Sequence, residues 1–85
     1  MKIQLRYFAS VREALGASAE TLELPEGIAT VGQLRAHLRE RGDAWSEALA
    51  PARSLRMAKN QAMAGEEALL ADGDEVAFFP PVTGG

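Results

Sequence analysis

A chain of 85 residues supports one domain with one modest core. Its net charge of −3 and sequence pI near 5.0, with arginines interspersed among acids, leave no footprint for nucleic acid. The absence of cysteine excludes a disulfide framework, a cysteine-based metal site and an internal thiol nucleophile.

No apolar run approaches the ~20 residues of a membrane span. The start, Met1-Lys2-Ile3-Gln4-Leu5-Arg6, lacks the apolar core of a signal peptide. The expectation is a cytoplasmic protein with no membrane partner.

Residues 2–8 alternate. Ile3, Leu5 and Tyr7 share one face, and Lys2, Gln4, Arg6 and Phe8 share the other, which predicts a half-buried strand. Ser10-Val11-Arg12-Glu13 fits a capping box, so a short helix is expected to begin at Ser10 and to stop at Gly16. Residues 19–24 alternate again as a second strand, paired with the first and ended by Pro25-Glu26-Gly27.

Thr30-Val31-Gly32-Gln33 is a second capping box and opens the longest helix. Val31, Leu34 and Leu38 mark its buried stripe; Arg35, Arg39 and Glu40 are expected outside, with Gly42 closing it. Gly32 weakens the first turn and has no explanation at this level. Residues 43–50 predict a second short helical segment anchored by Trp45. Leu55 to Lys59 reads as a third strand, Asn60-Gln61 as a turn and Ala62-Met63-Ala64 as a short fourth strand. Asp72-Gly73-Asp74 is a turn, and residues 75–79 form the last strand, with Val76 and Phe78 on one face and Ala77 and Phe79 on the other. This order predicts an α+β domain of the β-grasp type, a mixed sheet with the 31–41 helix packed across one face.

Residues 1–80 read as that domain and 81–85 as an extended tail. Pro80 and Pro81 lack the N–H that continues a ladder and favour a stiff, extended exit. Val82 and Thr83 prefer extended backbone, while Gly84 and Gly85 are slim enough for a narrow channel in another protein. A carboxylate on Gly85 is a poor electrophile until it is activated, for example as a mixed anhydride with a nucleotide. It can then accept sulfur or an amine.

Other candidates have plainer readings. His37, the only histidine, lies beside a buried helical stripe, without neighbours for a metal site. Ser10 is better read as a cap than as a nucleophile, and Asp72 and Asp74 as turn formers than as paired acids. Met57 and Met63 fill gaps in cores or adaptable surfaces. The glycines are scattered, so there is no phosphate loop. The chain therefore carries no catalytic side chains of its own. Phe8 and Phe79 fall on the faces opposite the core set. If the first and last strands are neighbours, the two rings form an exposed apolar patch beside the tail, rimmed by Arg12 and Met63, suited to a partner.

The run from Asp72 to Gly85, with Phe78-Phe79-Pro80-Pro81-Val82-Thr83-Gly84-Gly85 at its end, resembles the small subunit of molybdopterin synthase. Tyr7-Phe8-Ala9-Ser10-Val11-Arg12-Glu13 resembles that family's strand-to-helix signature, and Asn60-Gln61 and the approach from Leu69 to Asp72 match as well. Lys59 stands where the resemblance leads one to expect an apolar residue. The resemblance implies a ubiquitin-like β-grasp fold and a sulfur-carrier role. An adenylating, E1-like enzyme would use ATP to activate Gly85, and a sulfur donor would convert the adenylate to a thiocarboxylate. The tail would then give its sulfur to cyclic pyranopterin monophosphate inside the large synthase subunit, in an assembly of two small and two large subunits. No cofactor is expected on the chain itself. The rival readings are a carrier for another pathway of the thiamine type, a protein-tagging modifier and a non-covalent ubiquitin-like module.

Overall fold

Period-two alternation produces the sheet. In a computed structural model, which describes residues 1–81, β1 spans Lys2–Tyr7 and buries Ile3, Leu5 and Tyr7, as the alternation requires. It pairs antiparallel with β2 (Ala19–Glu23) and parallel with β5 (Glu75–Phe79). β3 (Arg56–Lys59) lies antiparallel to β5 on its other side, and β4 (Ala62–Ala64) forms the far edge. The order is β2-β1-β5-β3-β4, so the last strand is the central one. Asn60 and Gln61 join β3 to β4 with φ of 51° and 69°, the left-handed pair that a tight two-residue hairpin needs.

Three helices cover one face: α1 (Ala9–Leu15), α2 (Val31–Arg39) and α3 (Asp43–Ala48). The core joins Ile3, Leu5 and Tyr7 to Val31, Leu34, Leu38, Leu49, Val76 and Phe78. The Tyr7 ring stacks on Phe78 with centroids 6.3 Å apart and meets the Trp45 edge at 5.7 Å. This is the ubiquitin-like β-grasp, α+β as expected. No helix among the described residues is long and apolar enough to cross a membrane.

The second capping box forms as read. The Thr30 hydroxyl accepts the Gln33 amide, and the Gln33 side chain accepts the amides of Ala29 and Thr30. Gly32 now has its explanation. The 65–68 segment crosses this turn, and the Gly32 amide donates to the Glu66 carbonyl at 2.9 Å. A Cβ at position 32 would lie 2.9 Å from the Glu66 Cβ, so the crossing requires glycine. Lys59 is accommodated because its Nζ donates to the Leu69 carbonyl at 3.0 Å.

Three expectations need correction. Ser10 does not cap α1: Phe8 does, in extended backbone and without a side-chain bond, because its carbonyl accepts the amides of Val11 and Arg12 while its amide stays tied to β5. Ala9 makes the corner with φ of 52°, in a region that costs an L-residue about 1–2 kcal/mol. Gly42 does not close α2, which ends at Glu40 in a tightened last turn; it opens α3 instead. Arg35 is not outside. It is 6% exposed: its Nε donates to the Leu49 carbonyl at 2.8 Å, and its Nη2 to those of Ala50 (2.6 Å) and Arg53 (3.2 Å). An arginine on a helix becomes part of the core here because its fork satisfies carbonyls of the loop after α3.

A second arginine supplies a pH-dependent tie. Arg41 grips Glu20 of β2 with two bonds of 2.8 and 2.9 Å and lies over the Trp45 ring, while the Tyr7 hydroxyl donates to Glu20 at 3.3 Å. Hydrogen bonding to Arg41 holds the Glu20 carboxyl below its usual range, and burial followed by the Glu20 charge pushes the Tyr7 phenol up. A depressed folded-state pKa stabilises the fold above the ordinary carboxylate value and is lost as pH falls through the folded one. Stability should therefore decline below about pH 4.5, the ordinary value for Glu20. Glu20→Gln should lower stability at pH 7 by about 0.5–1 kcal/mol and make that acid limb shallower. Urea midpoints between pH 3 and 7 test this; parallel limbs for the two proteins would contradict it.

Candidate functional site

The site is built where the central strand runs out. Leu5 pairs with Val76 and Tyr7 with Phe78 on one side of β5, and Arg56 pairs with Phe79 on the other. The Phe8 amide donates to the Phe78 carbonyl at 3.2 Å, so β1 accompanies β5 to its end. Pro80 and Pro81 then offer no amide to either neighbour, and pairing stops. Pro80 is half-buried and Pro81 exposed; Val82, Thr83, Gly84 and Gly85 lie outside the described residues.

The start of β5 is fastened by Asp72 and Asp74. Asp72 accepts the Lys2 amide at 2.7 Å, and Asp74 accepts Asn60 Nδ2 at 2.9 Å and the Ala71 amide at 2.8 Å. Asn60 Oδ1 in turn accepts the Glu75 amide. These are turn-forming roles. His37 is half-buried on α2 and Met57 lies in the core.

The sheet face away from the helices carries the second part of the site. Register aligns Arg6, Ala77, Ala58 and Met63 across four strands. Two alanines at the middle of this row leave a depression of about 300 Å³, lined by Arg6, Phe8, Ala58, Gln61, Glu75, Ala77 and Phe79. Phe8 is 45% exposed, Phe79 half-buried, and Met63 is 65% exposed directly across from Ala58. Arg6 and Glu75 form a 3.5 Å ion pair on its polar side. The two rings named from sequence thus line one surface; Met63, paired with the lining Ala58, is not itself among the lining residues. Arg12 is exposed on α1 and is not among the lining residues.

Arg6, Ala58, Gln61, Glu75 and Ala77 are lining residues that the sequence reading does not single out. Arg6 was available from the same alternation that exposed Phe8, but the alanines matter only through strand register. No group of His, Cys, Asp and Glu suited to a metal occurs among the described residues. An apolar, partly ionic depression beside the exit of β5 can dock a partner.

The model of the ThiS family matches residues 5–85. The chain is 45% identical over 83 residues to the molybdopterin synthase sulfur carrier subunit of Escherichia coli, covering 98% of this chain and 99% of that one. SAMP1 of Haloferax volcanii is similar in structure with a TM-score of 0.76 at 26% identity, over the whole of both chains. A protein–protein complex of subunits 1 and 2 of the molybdopterin-converting factor from Helicobacter pylori contains a chain with the same fold, with a TM-score of 0.68 at 23% identity and full coverage of both.

Proposed function

The chain belongs to the ThiS family, and from that premise we propose that it is the sulfur carrier subunit of a molybdopterin synthase. The observation that carries the reading is the exit of the central strand through Pro80-Pro81 beside the Phe8/Phe79 depression. A partner seated on that face receives the tail directly. From Pro81, the four remaining residues reach at most ~14 Å when extended.

In this reading the Gly85 carboxylate attacks the α-phosphorus of ATP on an adenylating, E1-like enzyme, and pyrophosphate leaves. Sulfide-level sulfur supplied by a donor then attacks the acyl carbon, the bond to the phosphate oxygen breaks, and AMP leaves to give the thiocarboxylate. The charged tail enters the large synthase subunit, which supplies the catalytic side chains; its sulfur bonds to cyclic pyranopterin monophosphate, and water cleaves the acyl–sulfur bond to return the Gly85 carboxylate. ATP belongs to the activating enzyme, and no cofactor resides on the carrier. One docking face serves both partners in turn, so activation and delivery are mutually exclusive.

Phe79→Asp tests the docking face. It places a charge in the depression without touching the buried Val76 and Phe78, so the monomer should stay folded while affinity for the large subunit falls about 30-fold, a loss of about 2 kcal/mol. Titration calorimetry with unchanged affinity would remove the face from the account. The likeness to SAMP1, a small archaeal modifier protein, favours one second reading, a protein-tagging modifier. Isopeptide-linked conjugates in cell lysate would support that reading; their absence beside a thiocarboxylate would leave the carrier alone.

A further inference from the structure

Among the described residues, three that are not glycine have positive φ: Ala9, Asn60 and Gln61. The last two form a hairpin turn in which that conformation is required. Ala9 has no such excuse. It is an exposed alanine, so its methyl does not fill the core, and it occupies a conformation that glycine or asparagine adopts more readily.

Its neighbours explain the geometry. Phe8 is extended, with φ −126° and ψ 153°, and its amide is held by the Phe78 carbonyl. Its own carbonyl accepts the Val11 and Arg12 amides at 3.1 and 3.4 Å. Phe8 is thus fixed to β5 before the corner and to α1 after it, and Ala9 carries the reversal between them. An alanine with positive φ has one small allowed region, whereas a glycine has several. The methyl therefore stiffens the pivot on which the Phe8 ring is held out over the depression.

We infer that Ala9 is a positioning residue, whose left-handed corner holds Phe8 in the orientation that docks the large subunit. The inference rests on the docking reading above. A ring already held in its bound orientation loses less freedom on association.

The test compares wild type, Ala9→Gly and Ala9→Asn, measuring affinity for the large synthase subunit by calorimetry and thermal midpoint in parallel. Ala9→Gly should melt at or above the wild-type temperature, because the strain is relieved, and yet bind roughly 3- to 10-fold more weakly. Asparagine tolerates the left-handed region while keeping a Cβ, so Ala9→Asn should melt higher and bind within about twofold of wild type. A purely structural role would move the melting temperature and leave affinity alone. Ala9→Gly binding as tightly as wild type would overturn the inference. Ala9→Asn weakened as much as Ala9→Gly would also overturn it, because stiffness would then not be the cause. Wild type failing to bind the large subunit would remove the docking reading itself, and this inference with it.

Discussion

A chain lacking Gly85 folds like the full-length chain and delivers no sulfur. The described fold closes before this residue: the last buried side chains lie on β5, and Pro81 is already exposed. The core among the described residues does not include it, so the thermal midpoint should be unchanged. In the proposed reading the chemistry depends on a carboxyl at one fixed distance from the docking face. Shortening the tail moves that carboxyl back by ~3.3–3.6 Å, more than an in-line attack tolerates. Thiocarboxylate formation and molybdopterin synthesis should both fall to background. Gly85→Ala separates reach from bulk: it keeps the length and adds one methyl, so partial activity would mean that reach dominates. Full activity of the deleted chain would sink the mechanism.

Arg35→Ala is expected to destabilise the fold by about 3 kcal/mol. The change removes a buried cation whose three short bonds satisfy carbonyls at Leu49, Ala50 and Arg53, and it releases Glu66. The Leu49 carbonyl then faces the interior with no replacement donor, and the loop leading into β3 loses its anchor. For a domain of this size the thermal midpoint should drop by roughly 12–24 °C. Arg35→Lys should recover little of the loss, because a point charge cannot span three acceptors as the planar fork does. A lysine variant that melts with wild type would show that charge alone, rather than the fork, holds the loop.

Arg35 also marks where the sequence stops being legible. On a helix beside Leu34 and Leu38 it reads as a solvated residue, and only acceptors 14 to 18 positions away bring it inside. Gly32 was opaque for the same reason, since the segment that forbids a side chain there is Glu66, far along the chain. Gly42 carried a helix-stop signal that belonged to the start of the next helix. Ser10 matched a local motif, yet the sheet's hold on Phe8 had already supplied the cap from the backbone. Periodic signals fared better. Alternation in β1 and β5 placed the core residues and, by difference, put Phe8 and Phe79 on the opposite face of the sheet. The depression between them stayed hidden, because it comes from Ala58 standing beside Ala77, a matter of register between strands. Local pattern sets which face a residue takes; long-range crossing sets what it meets there.

The central claim is that Gly85 carries the sulfur. The most direct measurement is the intact mass of the chain after incubation with its adenylating enzyme, ATP and a sulfur donor, beside the chain lacking Gly85. The account predicts a gain equal to one oxygen replaced by sulfur in the full chain, with none in the shortened one. An unchanged mass in the presence of an enzyme shown to be active would contradict it.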